Sequence, residues 1–483
     1  MRPYDSDRLT AIAIALSAEK RLGALLDLIL SEAMSLTHCD AGTVYIREGE
    51  VLRFGNMVTL SKGIRVTVSD EGGDVLPPVP LDRHHVCACA ALDKRIINIP
   101  DVYSAADFDF SGPRRYDALN AYRTCSMLVV PMEDERGRCI GVLQLINAMD
   151  DEGALIPFDA GYEKIVSALT SLAAVSLNNS RLSKAVYDIL HSFVTVMVDA
   201  VDARSPYNAN HTRSMVRCAE RFLAWLDETG SPLRFAEEEK DPFLMSVWLH
   251  DIGKLVIPLE IMDKPTRLGS AGERVLSRLC IAELSERLRA ATRPEEAEEA
   301  LRESERLRET AALIRRANAA PFLDDDTLAA LRALAGQDCL TADGARVPLL
   351  SPDELESLCV RRGTLTTDER KEIENHVVYT ARLLGQMRFG SDYASVPLWA
   401  GAHHEFLNGS GYPEHLSAAQ LPREVRLLTI LDIYDALTAE DRPYKPPMPP
   451  ERAFSVLESM RDEGKLDGEL LALFKRSGAW KKD

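Results

Sequence analysis

The residues most suited to chemistry are six histidines spread between positions 211 and 415: His211, His250, His376, His403, His404 and His415. Several stand next to acids. His250-Asp251 closes the apolar string FLMSVWL and leads into Ile252-Gly253-Lys254, which puts an imidazole and a carboxylate where a helix finishes. One such pair is usually a core hydrogen bond. Here it recurs: His403-His404-Glu405 follows the apolar helix PLWAGA, and Asp432 follows VRLLTIL. His376 falls within TTDERKEIENHVVYTARLL, where Thr366 and Glu369 form a capping box that starts a helix and predicts His376 in its interior. Neutral imidazoles and carboxylates arriving from separate helices suit Mn, Fe, Zn or a related divalent metal.

Two ions would give that cluster hydrolytic power. Asp251 could bridge ions about 3.5–4 Å apart, and a water held between them loses a proton near neutral pH, ready for in-line attack on phosphorus. Cations must still offset the substrate's charge. Lys254, Arg442 and Lys445 are available, and an Arg fork matches paired phosphate oxygens. The string Asn408-Gly409-Ser410-Gly411-Tyr412-Pro413 is a tight loop: its glycines permit positive φ, Pro413 stiffens the exit, and Tyr412 offers a face to a base. Beside His403-His404 it reads as a wall of a substrate cleft.

These residues must be positioned by a chain of 483 residues and 53.5 kDa, beyond the size at which one core keeps growing, so more than one domain is expected. Hydrophobic residues are 46% and charged residues 27%, the balance of an ordinary folded domain rather than a disordered chain. The formal charge of −18 argues against nucleic-acid polymers and acidic membranes as partners. Nine scattered cysteines contain no CxxC pair, which fits reduced thiols and a cytoplasmic location. The opening AIAIALSA run is short and flanked by Asp5, Asp7, Glu19 and Lys20, unlike a signal peptide or anchor.

Along the first third, Leu9, Ile12, Leu16, Leu22, Leu25, Leu26 and Ile29 keep helical spacing and predict one leading helix over about 8–36. AGTVYIREGEVLRFGNMV and RTCSMLVVPMEDERGRCIGVLQLINAM then alternate around turns such as Asp134-Glu135-Arg136-Gly137, predicting antiparallel hairpins. The strings NIPDVYSAADFDFSG, SMLVVPM, GVLQLIN and LNNSRL resemble a GAF domain over residues 8–182. That resemblance implies an α+β fold on a six-stranded sheet, with a pocket for an unidentified small ligand. Cys87-x-Cys89 and His84-His85 read as structural rather than as a metal or haem site.

Between the halves, Ile165, Leu169, Leu172, Leu182, Val186, Ile189, Phe193 and Val196 step by threes and fours, interrupted by Ser176 and Asn179. This predicts a linking helix over 160–200 and a homodimer, set against an amphipathic helix packed on its own domain. From about 268 to 361 the chain becomes rich in Arg, Glu, Ala and Leu and reads as an insertion of exposed helices with i,i+4 charge pairs, its charge runs a solvated face. Pro321, the Asp324-Asp325-Asp326 cluster, Gly336 and Gly344 break it.

The four strings HDIGK at 250–254, HHE at 403–405, GSGYP at 409–413 and DIYDALTAEDRPYK at 432–445 together resemble the HD-GYP phosphodiesterases over 185–475, the insertion apart. The resemblance implies an all-α HD-type domain that hydrolyses cyclic di-GMP to pGpG, GMP or both under control of the GAF domain. It implies metal ligation by His211, His250, Asp251, His376, His403, His404 and Asp432, with two ions, Fe or Mn first and Zn, Ni, Co or Mg as alternatives. Catalytic roles fall to Asp251 and Lys254, and substrate contacts to Lys254, Gly411, Tyr412, Pro413, Arg442 and Lys445. Three departures stand out: Asn408 replaces the family's usual Asp, one extra residue precedes Arg442, and Tyr207 occupies the place of a Glu that holds a third ion in some relatives. Competing readings are a cyclic-dinucleotide receptor of weak activity and a hydrolase of another cyclic dinucleotide.

Overall fold

The strongly apolar strings near residues 40–59 and 127–149 form the centre of an antiparallel sheet. Its two middle strands, β1 (Cys39–Glu48) and β7 (Cys139–Met149), are buried almost throughout rather than on alternate residues. The period of two survives as a division between cores, because both faces of the sheet are covered. Val44, Leu143 and Leu145 point to one core with Leu25, Leu26 and Ile29, whereas Tyr45 and Val142 point to another with Cys87, Ala88, Ile97 and Phe110.

The computed structural model describes residues 4–19, 21–67, 76–204, 210–439 and 447–481. It divides into two compact units, 1–190 and 191–483.

In the first unit, helices α1 (Tyr4–Ala18) and α2 (Leu22–Thr37) replace the single leading helix that the spacing predicts. Arg8 of α1 reaches Glu32 at 3.2 Å and Ser35 at 2.7 Å, so α1 folds back along α2 and delivers Ile12 and Leu16 to the same core. A straight helix would carry them away from it. The strands are β1, β2 (Val51–Thr59), β3 (Ile64–Val66), β4 (Val79–Pro80), β5 (Ile97–Ile99), β6 (Met127–Glu133), β7 and β8 (Leu155–Ile156). They run in the order β3-β2-β1-β7-β6-β5, with β4 beside β2 and β8 beside β7. Helices α3 (Val86–Asp93) and α4 (Ser111–Asn120) precede β6, and Cys87 and Cys89 lie buried on α3 as core side chains. The long α5 (Ala160–Arg204) follows, contributing Val166, Leu169, Ala173 and Leu177 to the first core.

The second unit is mainly helical, with one core drawn from its first and last helices. Phe222 of α6 (His211–Glu228) and Phe243 of α7 (Glu237–Leu249) pack there with Leu427 and Leu431 of a later helix, and with Phe454 and Phe474 near the C-terminal end. A one-turn α8 (Leu259–Met262) leads into the segment read as an insertion. There α9 (Ala271–Thr292) and α10 (Ala297–Ala319) form a helical hairpin, followed by α11 (Asp325–Arg332), a strand pair β9 (Asp338–Leu340) and β10 (Arg346–Pro348), and α12 (Pro352–Leu358). Its helices are not merely solvated. Val275, Leu279, Leu307, Ile314, Leu331, Leu349 and Leu358 make a hydrophobic core of its own. Fully buried Arg267 ties the ends together, its guanidinium donating to the carbonyls of Val360 at 2.6 Å and Ala317 at 2.7 Å, and also to Ala320. The chain continues through α13 (Thr367–Glu374), α14 (His376–Leu384), α15 (Val396–Gly401), α16 (Arg423–Thr438), α17 (Pro450–Asp462) and α18 (Gly468–Ser477). Among the described residues no helix is long and apolar enough to cross a membrane.

Candidate metal centre

Three histidines occupy equivalent places at helix ends. His250 caps the C-terminus of α7, His376 follows the end of α13, and His403 follows α15. In each, Nδ1 meets the backbone carbonyl three residues earlier: Val247 at 2.7 Å, Ile373 at 2.6 Å and Ala400 at 2.7 Å. The last carbonyls of a helix have no intrahelical partner, so the imidazole satisfies one of them. A carbonyl only accepts, hence Nδ1 carries the proton and Nε2 is left with its lone pair facing inward. The Thr366–Glu369 capping box is present as the sequence indicates, but the helix it starts stops at Glu374. His376 therefore opens α14 instead of riding inside one continuous helix.

The inward atoms converge. Nε2 of His250, His376 and His403 and Oδ1 of Asp251 are buried without a hydrogen-bond partner. Such orphaned acceptors are costly in a protein interior unless a cation meets them. Ligand atoms of His250, Asp251 and His403 lie within 4.8 Å of one another, as do those of His211, His250 and Asp432, and those of His376, His403 and His404. The shared members join the three groups into one cluster. Asp251 spans it: Oδ2 stands 3.3 Å from His250 Nε2 and 3.8 Å from His211 Nε2, while Oδ1 stands 3.4 Å from His376 Nε2. Asp432 faces His211 at 3.2 Å and His404 at 3.7 Å. This donor set fits a divalent cation of the first transition row.

The electrostatics follow from burial and from the carboxylates. Burial pushes the Asp251 carboxyl up, but the Lys254 ammonium, 2.5 Å away, and the flanking imidazoles outweigh it and hold the group well below the usual carboxylate range. Asp432 is likewise depressed, burial being overcome by its hydrogen bond to His211. Burial, aided by Lys254 and His404 and opposed by Asp251, lowers His376 to about 4, and burial with the neighbouring imidazoles drives His403 well below the ordinary imidazole value. His211 goes the other way, since Asp432 and Asp435 overcome burial and raise it to about 10. The cluster thus contains neutral lone-pair donors on one side and ionised carboxylates on the other.

Short-range contacts lock these groups together. Thr380 of α14 donates its hydroxyl to the His250 carbonyl at 2.9 Å and accepts the Gly253 amide at 2.9 Å; Thr429 of α16 donates to the His403 carbonyl at 2.8 Å. A Cβ on Gly253 would stand 1.9 Å from the His376 carbonyl oxygen, so only glycine lets the HDIGK turn pass that close. Gly411 is equally constrained: a Cβ would meet the Phe406 amide at 2.4 Å and the His404 carbonyl at 2.5 Å. The buried Glu405 carboxylate accepts the amides of Glu414 at 2.6 Å and Leu416 at 2.9 Å, holding the 409–416 loop beside the cluster. Tyr412 in that loop lies against His404, ring centroids 4.9 Å apart.

All seven residues proposed as ligands from the sequence, His211, His250, Asp251, His376, His403, His404 and Asp432, therefore lie in this one cluster, with Lys254, Gly411 and Tyr412 at its edge and Pro413 next along the loop. Arg442, Lys445 and Tyr207 lie outside the described residues. His415 has positive φ in the loop and joins none of the three groups. Asp435 is the residue sequence reasoning missed. Its Oδ2 stands 2.6 Å from His211 Nδ1, the orienting position behind a metal-facing imidazole. Its i,i+3 spacing from Asp432 in DIYDAL was the available signal. Thr380 and Thr429 carried none.

Comparison with known proteins agrees with this division. The sequence matches the GAF domain over residues 21–177 and the HD domain over residues 347–470. A 3'3'-cGAMP-specific phosphodiesterase 3 of Vibrio cholerae is 34% identical over 115 residues, 24% of this chain and 24% of that protein. A cyclic di-GMP phosphodiesterase of Thermotoga maritima is 31% identical over 116 residues, 23% and 29% of the two chains. A cyclic di-GMP phosphodiesterase response regulator of Xanthomonas campestris pv. campestris is 34% identical over 108 residues, 22% and 28%. The matched stretch spans about a quarter of the length of each of these relatives. The chain carries an N-terminal GAF domain of sheet and helices and a C-terminal helical HD domain.

Proposed function

We propose that the HD domain is a metal-dependent phosphodiesterase that opens cyclic di-GMP to pGpG, GMP or both, and that the GAF domain sets its rate in response to a small ligand. One observation carries the reading: three buried imidazoles commit Nδ1 to backbone carbonyls and leave orphaned Nε2 atoms, those of His250 and His376 facing the Asp251 carboxylate and His403 grouped with His250 and Asp251. His211, His250, Asp251, His376, His403, His404 and Asp432 would hold two divalent ions, Fe or Mn before Zn, Ni, Co or Mg. Such ions supply charge neutralisation at phosphate oxygens and a water acidified toward neutral pH.

The chain's own residues do the remainder. Asp251 presents one oxygen to His250 and His211 and the other to His376, so a single carboxylate addresses two groups of ligands. Lys254 keeps Asp251 anionic and would also meet a phosphate oxygen, a role assigned on sequence grounds to Arg442 and Lys445 as well. Gly411 lets the loop pack against the His404 backbone, Pro413 stiffens it, and the Tyr412 ring, half-buried against His404, offers a flat face to a guanine.

A second substrate is favoured by one specific finding, the 34% identity to a protein named for 3'3'-cGAMP. The two cyclic dinucleotides share phosphates and differ in one base, so the ions serve both and the cleft walls choose. The test is to load the purified full chain with Mn or Fe and follow the products from each dinucleotide, for the native protein and Asp251→Ala. Metal-dependent product from the native protein and none from the variant is expected. Tight binding of either dinucleotide with no product at any metal loading would replace the hydrolase with a receptor.

A further inference from the structure

Helix α13 carries four acids, and three of them are answered within the fold. Asp368 stands 3.8 Å from Lys371, Glu369 accepts from Lys264 at 2.7 and 2.8 Å, and Glu372 accepts from Asn375 at 3.1 Å and Tyr379 at 3.2 Å. The fourth, Glu374, is half-buried and makes no side-chain hydrogen bond or ion pair among the described residues. It is also the last residue of the helix, where unsatisfied carbonyls disfavour a negative charge. A local rule broken without a compensating partner marks a place where a ligand acts. That place is the rim of the metal centre. Two residues on, His376 lies against His404 with ring centroids 5.0 Å apart, and His404 lies against Tyr412 at 4.9 Å. Burial raises the Tyr412 hydroxyl, and Glu374 raises it further, ahead of Asp432 and Asp251 of the cluster itself. The Glu374 carboxylate and the Tyr412 ring thus border the same opening.

We propose that Glu374 reads the N1–N2 edge of the guanine that stacks on Tyr412 and so sets the base selectivity of the cleft. The proposal rests on the phosphodiesterase reading and names which cyclic dinucleotides that site takes. Guanine presents two adjacent donors, N1–H and N2–H, and a carboxylate is acceptor-only with two oxygens, so two parallel charge-assisted bonds form. Adenine presents a single donor, N6–H, beside the lone pair of N1. That lone pair would face the second carboxylate oxygen, acceptor against acceptor, with neither satisfied. A site built to bond such donors rejects the base that lacks them far more strongly than an apolar wall does. The same negative charge repels phosphate, which turns the dinucleotide so that its phosphates point toward Lys254 and the ions. One guanine is enough: 3'3'-cGAMP offers Glu374 the same edge in one of its two orientations, and cyclic di-AMP offers it in neither.

The test loads the full chain with Mn and measures kcat and KM for cyclic di-GMP, 3'3'-cGAMP and cyclic di-AMP. Glu374→Gln and Glu374→Ala are run beside the native protein, with metal content read on each. The native protein should turn over both guanine-containing dinucleotides and prefer them to cyclic di-AMP in kcat/KM. An amide offers one donor and one acceptor, which suit the adenine edge as well as O6 and N1–H of guanine. Glu374→Gln should therefore shrink the preference about 5–150-fold, chiefly through KM, with metal retained. Glu374→Ala should shrink it by slowing cyclic di-GMP without improving cyclic di-AMP. A preference unchanged in both variants, or a rise common to all three substrates as charge repulsion alone would give, overturns the role of Glu374 and leaves the phosphodiesterase standing. Absence of product from every dinucleotide would instead remove the phosphodiesterase reading. Dissociation constants of the three for the same proteins, taken by calorimetry, then decide Glu374 by the same comparison, and no binding of any of them would overturn both.

Discussion

At the scale of single residues, the protonation of each imidazole is set by what its Nδ1 touches. His211 differs from its neighbours in meeting a carboxylate, Asp435 Oδ2 at 2.6 Å, rather than a carbonyl. That contact fixes the ring and raises its basicity, so Asp435→Asn should lower metal affinity about 10–100-fold while the helical signal is retained. Metal content after dialysis against graded chelator measures it, and unchanged retention would remove Asp435 from the site. The metal-free protein should also show an unusual pH profile. His376 is held at about 4 in the fold against an ordinary imidazole value of 6.5. Between those values the unfolded chain binds more protons, so stability falls as pH falls from 6.5 toward 4, by on the order of 3 kcal/mol for this residue. His403 acts in the same direction. His211, raised to about 10, stabilises fully below 6.5 and loses that contribution as pH rises through 10. The depressed carboxylates Asp251 and Asp432 add acid sensitivity only below about 4. Melting of the chelated protein should therefore peak near pH 6.5 and decline on both sides; a flat profile from 6.5 down to 4 would contradict buried neutral imidazoles.

At the scale of elements, the centre depends on how closely helix ends approach one another. Gly253 and His376 touch through backbone alone, and Thr380 bridges the same two segments with both its donor and its acceptor. Gly253→Ala inserts a methyl where 1.9 Å separates it from a carbonyl oxygen, so the HDIGK turn must move away from α14. A loss of about 1–3 kcal/mol and of bound metal together is expected, read by thermal melting and metal analysis on one sample. Metal bound at native levels would show that the turn and α14 need not be in contact. These junctions also mark the limit of what the sequence reveals. Several ligands were legible because imidazoles and acids recur just after apolar strings, at His250-Asp251, His403-His404 and Asp432. The break at Asn375 was not, since propensity continues across it and only the ring of His376 turning back on Ile373 accompanies the stop. The division of α1 from α2 was hidden for a similar reason: both halves carry the same periodicity, and only a shared core tells a fold-back from a straight run. Within residues 268–361 the strand pair β9-β10 was missed although Asp343-Gly344 offered a turn, because three-residue strands are too short to show a period.

At the scale of the molecule, two units with separate cores make a single unfolding free energy the wrong quantity. The ligand cluster draws every member from 191–483, so only that unit should gain from metal. A cation that binds the folded unit and not the unfolded chain adds about 2.7 kcal/mol at a concentration one hundred times its dissociation constant. For a unit of this size that is a rise of roughly 4–5 °C in one transition, larger if two ions bind. Calorimetry of the full chain with chelator and then with Mn should show one endotherm moving and the other stationary. Asp251→Asn should abolish the movement without shifting the stationary endotherm, because the residue lies in the second unit and its removal leaves the first core untouched. Two endotherms that rise together would mean that metal is felt in both units, and a pair that stays still while metal is demonstrably retained would place the bound ion somewhere other than the His211–Asp432 cluster.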